Sequence, residues 1–473
     1  MFEQQYIEQC YQKLLQTGYP EDRIMKDYRL LDGLSADIAI LPPGLTQLPM
    51  LIIEVKQNKY QGYDWLVTEQ AEIFKKKYGF QIFIYCNEEN LFIDINTTKT
   101  QDKVPSYEKL KNKWLINRTY FSKLQLRNFM AFKSAEFQFG SKLNIIIGEN
   151  GSGKTQIMKL LYSIARTFTY LPSKNESRMD FSQFAIDAIF GIHNVSELIS
   201  NYEKTKAKEA QIQISLSNQE SICGFCIKNN NPNMIQPELN ALSTLFSLRH
   251  DVNKAVFLPA QELLSIFPGF QSMHQIYRDN WPYDQTISDC ISYLGLPPIK
   301  SQENFFNKII KEVEKAIHGH IYLNEQGTRF LMQMEHSKTI YEIPLVATGW
   351  RKFGQLLQLI NTGAIYPGSI LLWDEPDANM NPKLICLVAK VLLKLALTGV
   401  QVFIATHSLF LLRELEYLSH EQNITDSIRY IALGNNGIEQ ANNTADMHNI
   451  LSFEEEIRQE DRIMALGTKR RGK

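Results

Sequence analysis

The chain has 473 residues, of which 44% are hydrophobic and 21% charged, with a formal net charge of -1. At about one domain per 100–200 residues this length predicts two to four units, and the near-neutral balance excludes a surface coated in positive charge, so any nucleic-acid contact is a local patch. The opening "MFEQQYIEQC" lacks the basic end and apolar stretch of a signal peptide, which makes the cytoplasm the expected location.

In chain order, "FEQQYIEQCYQKLLQTG" places Ile7, Cys10, Leu14 and Leu15 on helical spacing before Gly18, and "DYRLLDGLSADIAIL" reads as two short strands around Asp32 and Gly33. The apolar strand "MLIIEVK", a helical stretch "DWLVTEQAEIFKKKYG" and a strand pair "QIFIYC" and "NLFIDI" complete a first unit over residues 1–97, in the order αβββαββ. Within it, Asp37 is followed after seventeen residues by Glu54, and Glu54 and Lys56, two apart on a strand, share a face to which a neighbouring strand can bring Asp37. Two carboxylates so placed can hold Mg2+, or Mn2+, which activates water, while the lysine orients the nucleophile or neutralises charge.

Residues 98–118, of which 99–118 carry six basic and two acidic side chains with a proline between them, read as a basic linker. A second unit over 119–445 opens with strands in "FSKLQLRNFMAFKSAEFQF". "GENGSGKT", comprising Gly148, Glu149, Asn150, Gly151, Ser152, Gly153, Lys154 and Thr155, matches G-x-x-x-x-G-K-[ST] between the strand "LNIII" and the helix "QIMKLLYSIA". Its glycines let backbone N–H groups converge on phosphate oxygens, Lys154 reaches the β/γ-phosphates of ATP and Thr155 ligates Mg2+. Farther on, "SILLWDEP" supplies Asp374 for the metal and Glu375 for the attacking water, and His407 follows thirty-two residues later at the end of "VQVFIATHS", placed to sense a γ-phosphate.

Between these motifs, the pair Cys223 and Cys226 in "CGFC" has strand-like flanks and no second pair or histidine cluster beside it, so it reads as strand rather than as zinc site. The long apolar region before "ATHS" is broken by Lys390, Lys394 and Gly399, which suits a helix feeding a buried strand and predicts no membrane span. Residues 446–473 read as a polar helix with a basic tail.

Taken in order, "GENGSGKT", "LWDEP", "DANMNP" and "ATHS" resemble the Walker A, Walker B, D-loop and H-loop of ABC-type ATPases of the SMC, RecF and OLD group. The resemblance covers 119 to about 420 and implies that "LVATGWRKFGQLL" is the signature segment, with Thr348 and Gly349 capping the γ-phosphate of a partner, and that Gln261 in "VFLPAQELL" is a Q-loop contact to metal or water. It also implies a homodimer or higher homo-oligomer that sandwiches ATP. With no long heptad run in the insertion, about 165–340, this would be a compact member of the group.

The first unit, with "GYPEDRI" after its first helix and Gln70 and Phe74 in "QAEIF", resembles the PD-(D/E)XK nucleases, and among them the N-terminal domain of type I restriction enzyme R subunits. That resemblance assigns catalysis to Asp37, Glu54, Lys56 and Gln70 and leaves the first-helix acid open between Glu3 and Glu8. The expected fold class is therefore α/β, a restriction-endonuclease-like domain followed by an ABC-type P-loop ATPase with an inserted helical and β lobe. The expected function is ATP-regulated, metal-dependent cleavage of nucleic acid, DNA foremost, in bacterial defence or DNA processing. The alternatives are an ATP-dependent sensor with an inactive nuclease fold and a separate effector partner, and an ATP-controlled RNA-cleaving toxin.

Overall fold

The computed structural model describes residues 2–29, 35–41, 49–72, 81–116, 120–169, 190, 195–199, 209–217, 219–228, 235–237, 254–276, 283–298, 306–335, 337, 339–434, 437–448, 450, 455, 458–459 and 461–463. Phe74, the insertion between 170 and 189 and most of the C-terminal polar segment lie outside them.

Helix α1 (Phe2–Gln16) turns Ile7, Cys10 and Leu14 to one side, and Gly18, at φ +89°, ends it with a backbone that other residues rarely adopt. Strands β1 (Ile24–Arg29), β2 (Ser35–Ile40), β3 (Leu51–Lys56), β4 (Gln81–Cys86), β5 (Leu91–Asp94) and β6 (Thr100–Gln101) form one sheet in sequence order, antiparallel throughout except for the parallel pair β3/β4. Helix α2 (Lys59–Leu66), capped by the Asn58 side chain, makes the crossover between that parallel pair. Alternation along the strands splits the core. Ile38, Ile53, Val55, Phe83 and Tyr85 pack with α1, whereas Ala39, Ile52, Ile82 and Ile84 pack with Trp65 and Leu66 of α2.

The segment expected as a linker belongs to this unit along its described length. Thr100–Gln101 pairs with β5, and helix α3 (Tyr107–Ile116) sends Tyr107 and Leu110, with Val104 ahead of it, into the α1 side of the core. Among the described residues, the charges that suggested a linker are exposed except for Lys111, which is buried and lies against Glu108 and the Tyr107 ring.

The second unit opens with the hairpin β7 (Phe121–Phe129) and β8 (Phe132–Gln138), followed by β9 (Leu143–Gly148) and helix α4 (Lys154–Thr169). Strands β10 (Glu209–Leu216), β11 (Gln219–Lys228) and β12 (Ile235–Pro237) extend that hairpin into a five-stranded antiparallel sheet, with Cys223 and Cys226 in β11. The chain then returns to the core through β13 (Ala255–Leu258), so residues 165–340 are not one continuous inserted lobe: α4 runs on to Thr169, and "AVFL", wholly buried, pairs parallel to the Walker B strand. Helices α5 (Phe267–Ile276), α6 (Gln285–Leu294) and α7 (Asn307–Ala316) follow, then a three-stranded sheet of β14 (Gly319–Leu323), β15 (Phe330–Met334) and β16 (Ile340–Glu342).

Helix α8 (Thr348–Asn361) leads to β17 (Ile370–Asp374), α9 (Pro382–Leu397), β18 (Gln401–Thr406), α10 (Leu409–Glu421), β19 (Ile428–Gly434) and β20 (Gly437–Ala441). The central sheet has the order β13-β17-β18-β9-β19-β20, with only β20 antiparallel. Strands β17 and β18 are buried at every position, as expected of parallel strands with both faces covered, and this is why they read as unbroken apolar runs. Among the described residues no helix is long and apolar enough to cross a membrane.

Candidate functional site

Parallel registry lines up the carboxyl ends of three strands. Asp374 of β17 stands level with Ala405 of β18, and Thr406 level with Ile147 of β9, so the residues that follow each strand meet in one crevice. The Walker A turn leaves β9 at Gly148 and enters α4 at Lys154. Gly151 and Gly153 hold φ of +83° and +99°, and a Cβ on Gly153 would stand 2.6 Å from the Phe132 ring. Glycine is therefore a geometric requirement of this turn.

Inside the turn Lys154 donates to the carbonyls of Gly148 at 2.7 Å and Glu149 at 2.9 Å. Burial pushes its pKa down, opposed by Glu375, Asp374 and Glu149. Thr155 donates its hydroxyl to Asp374 Oδ2 at 2.8 Å, which joins two residues 219 positions apart. Asp374 is buried, and its pKa is raised by that burial while the Thr155 bond opposes the rise. Ser152 Oγ is buried without a partner, and Glu149 and Asn150 are exposed at the mouth. A carboxylate and a hydroxyl in contact suit Mg2+, and orphaned donors around a glycine turn suit phosphate, so these residues fit a magnesium nucleotide.

Glu375 follows Asp374 in a left-handed conformation, φ +45°, with its N–H donating to Ala405 O at 2.9 Å. His407 places Nδ1 3.5 Å from Glu375 Oε1 and is more exposed than its neighbour, so the two polar groups flank the open side of the crevice. Thr406 donates to Asp377 at 2.7 Å, which fastens "DANMNP" to β18.

Thr348 and Gly349 open helix α8. Gly349 packs so closely against the D-loop and α9 that a Cβ would lie 3.0 Å from Leu384 Cδ1, while Arg351 holds the Thr348 hydroxyl at 3.0 Å. Gln261 is exposed three residues after β13, and its neighbour Glu262 pairs with Arg351 at 2.5 Å. Arg351, Lys352 and Glu262 do not stand out in the sequence; two adjacent bases one residue beyond the Thr-Gly pair are the signal it offers.

In the first unit Asp37 falls opposite Glu54, one step beyond the last paired residues Ile38 and Ile53 of β2 and β3. Asp37 Oδ2 accepts the Val55 N–H at 2.6 Å. Glu54 is 5% exposed, its Oε1 has no partner, and Lys56 Nζ lies 3.6 Å from its Oε2. Burial first, and then the Asp37 charge, lifts the Glu54 pKa to about 8 against the pull of Lys56. The Lys56 ammonium also rests over the Trp65 ring, 5.9 Å from its centroid, a contact the sequence reading did not anticipate. Gln70 lies farther on, half-buried in a helical segment at 69–72. Two carboxylates are a common protein share of a Mg2+ site whose remaining ligands are water and phosphate, and an orphaned buried carboxylate oxygen fits that use. Among the described residues no group of three or more His, Cys, Asp or Glu forms a larger metal set.

Residues 123–322 match a family model described as an AAA domain, and residues 339–413 one described as "AAA domain, putative AbiEii toxin, Type IV TA system". The DNA replication and repair protein RecF of Lactococcus lactis subsp. cremoris (strain MG1363) is 23% identical over 223 residues, 46% of this chain and 57% of that protein. RecF of Bacillus thuringiensis (strain Al Hakam) is 34% identical over 68 residues, 14% of this chain and 18% of that protein. The chain thus spans little more than half of the first relative and less than a fifth of the second. A solved SMC head bound to the C-winged helix domain of ScpA aligns with 68% of this chain and 97% of that one, at 15% identity and a TM-score of 0.43. The two matched AAA models lie over Thr155 and Asp374, the residues that meet across the crevice, so in this region the chain is similar to AAA domains and, over part of its length, to RecF.

Proposed function

We propose that this chain is an ATP-gated, Mg2+-dependent nuclease, with DNA as its substrate, in which nucleotide state in the second unit controls cleavage by the first. The observation that carries the reading is the placement of Asp37 opposite Glu54, one step beyond the paired residues of β2 and β3, with Lys56 against Glu54, in the same chain as the ATPase crevice. Asp37 and Glu54 would hold Mg2+, which supplies Lewis acidity and an acidified water at that face. Lys56 keeps a positive charge beside them that orients the nucleophile and offsets charge on the scissile phosphate. Likeness to proteins named for DNA replication and repair supports DNA. A matched model whose description names a putative toxin keeps the toxin reading as the alternative.

In the ATPase unit Thr155 and Asp374 would hold the Mg2+ of MgATP, Lys154 binds the phosphates, Glu375 positions and accepts a proton from the attacking water, and His407 faces the γ-phosphate. Thr348 and Gly349, at the start of α8, present backbone N–H groups to the nucleotide of a second copy, so ATP binding draws two chains together. This reading rests on motif order together with the crevice geometry.

Incubating the full chain with duplex DNA, single-stranded DNA and RNA, with and without ATP and Mg2+, tests it. Asp37→Ala, Glu54→Ala and Lys56→Ala should each abolish cleavage while ATP hydrolysis stays near the parent rate, because the residues belong to a separate metal site. Normal cutting by Glu54→Ala would refute the assignment of this site, and no cutting by the parent on any of the three substrates would leave a nucleotide-dependent binding protein.

A further inference from the structure

Helix α8 carries a buried ammonium that the mechanism above does not use. Lys352, four residues after Thr348, is 3% exposed, and its Nζ donates to the main-chain carbonyl of Glu375 at 2.9 Å. That carbonyl also accepts the Ala378 N–H at 3.2 Å, and the residue bearing it is the non-glycine in left-handed conformation at the end of the Walker B strand. Such a backbone is unfavourable for a residue with a side chain and persists where its surroundings over-determine it. Here the surroundings are the Ala405 carbonyl on one side and the Lys352 ammonium on the other.

Neighbouring residues of the same helix are tethered as well. Arg351 pairs with Glu262 at 2.5 Å and also reaches Ser265, while Gln355 Oε1 accepts the Leu263 N–H at 2.8 Å. Helix α8 therefore links three places: the segment that follows β13, the Thr348–Gly349 turn that would meet a second copy, and the backbone of the residue that would activate water. For stability alone an apolar side chain would suit the Lys352 position better, because burying an ammonium costs several kcal/mol before any partner is counted. Burial pushes the Lys352 pKa down, and the carboxylates of Asp377, Glu375, Asp374 and Glu262 oppose that.

We propose that Lys352 is a positioning residue for ATP hydrolysis: by holding the Glu375 carbonyl it fixes the direction of the Glu375 side chain and makes that direction depend on where the signature helix sits. A second copy that engages the Thr348 turn then adjusts the water-activating carboxylate of the chain it docks on through one hydrogen bond. The inference rests on the ATPase reading given above.

The test uses the full chain with Lys352→Met, Lys352→Arg, Glu375→Gln and the double variant Lys352→Met/Glu375→Gln, following steady-state hydrolysis and equilibrium binding of a fluorescent ATP analogue with Mg2+. For Lys352→Met, kcat should fall roughly 10- to 100-fold, the scale of a misplacement of about 1 Å, while nucleotide Kd changes by less than about threefold. Lys352→Arg, which keeps the cation, should recover most of the rate. In the Glu375→Gln background, adding Lys352→Met should change the residual rate by less than about twofold, because a group acting through Glu375 has nothing left to position. A merely structural lysine would instead lower the rate again in that background and weaken nucleotide binding in step, and either result overturns the proposal, as does a Lys352→Met kcat within twofold of the parent. If thermal melting shows that methionine is not tolerated, Lys352→Gln, which keeps a donor, is put through the same comparisons. If the parent shows no hydrolysis that Lys154→Ala removes, the ATPase reading falls and this inference falls with it; hydrolysis untouched by Lys352→Met defeats the positioning role alone.

Discussion

Replacing Glu54 by glutamine should stabilise the first unit in the absence of metal, increasingly so as pH rises, while abolishing the proposed cleavage. The side chain is 5% exposed, one of its oxygens has no partner, and burial beside Asp37 lifts its pKa from 4.5 to about 8. Between those two values the folded chain keeps a proton that the open chain has lost. By linkage stability therefore declines as pH climbs from 4.5 through about 8 and then levels off, whereas a glutamine, which cannot ionise, escapes the decline. At about 1.4 kcal/mol per pH unit the ceiling is roughly 5 kcal/mol, and relaxation and water entry reduce it, so about 1.5–3 kcal/mol is expected, a 10- to 100-fold effect on local opening. Amide hydrogen exchange of the full chain, read on peptides covering 51–56 and corrected for the intrinsic pH effect, measures this directly. The variant should be the better protected at pH 8.5, with most of the advantage gone at pH 5. Mg2+ should raise protection of the parent and leave that of the variant unchanged. Equal protection at every pH, or weaker protection of Glu54→Gln under alkaline conditions, would refute the claim that this carboxylate is held neutral by burial.

In the second unit, Lys154→Ala should weaken ATP binding by at least about tenfold, whereas Glu375→Gln should keep binding, stall hydrolysis and accumulate as an ATP-bound dimer. Light scattering that gives one mass with and without ATP at all concentrations would contradict nucleotide-driven assembly. Gly153→Ala should lower nucleotide affinity at least as strongly as its cost in stability, because the residue holds φ +99° and the added Cβ would press into the Phe132 ring; calorimetric ATP binding equal to the parent would refute this. Coupling between the units requires that Glu375→Gln, trapped with ATP, cut nucleic acid at a rate clearly different from Lys154→Ala, since only differential affinity for clamped and open states can bias such a switch. Equal rates on every substrate would mean that the two units act independently.

What could be read from the amino acids was whatever repeats locally. Ile145, Ile146 and Ile147 run unbroken into glycine because a central parallel strand is apolar on both faces, and this alone set the Walker A turn between strand and helix. The alternation Leu51, Ile53 and Val55 against Glu54 and Lys56 was as plain, since one face packs under α1 and the other carries polar groups. Tertiary facts were hidden. The lysines of 98–118 masked Val104, Tyr107 and Leu110, three apolar residues that become a core only when the strands beneath them exist. Four residues of β13 gave no sign that the chain re-enters the central sheet there, because a short apolar run fits many contexts. Nothing local to Lys352 marks it as buried, and its burial against a main-chain carbonyl depends on a strand that comes later in the chain.

The order of strands in the central sheet also sets a schedule for synthesis. Strand β18 lies between β17 and β9 and is made after both, so the Walker A and Walker B strands have no shared neighbour to hold them together until residue 406 has left the ribosome. The first unit, complete by residue 116, is under no such restraint. At roughly 5–20 residues per second the stretch from 117 to 406 takes about 15–60 s, during which a nascent chain carries a finished Asp37–Glu54 pair and no assembled nucleotide crevice. A cell that translates this chain therefore meets the first unit before the nucleotide crevice is assembled. Slow codons or a ribosome stall in that interval would lengthen the exposure in proportion.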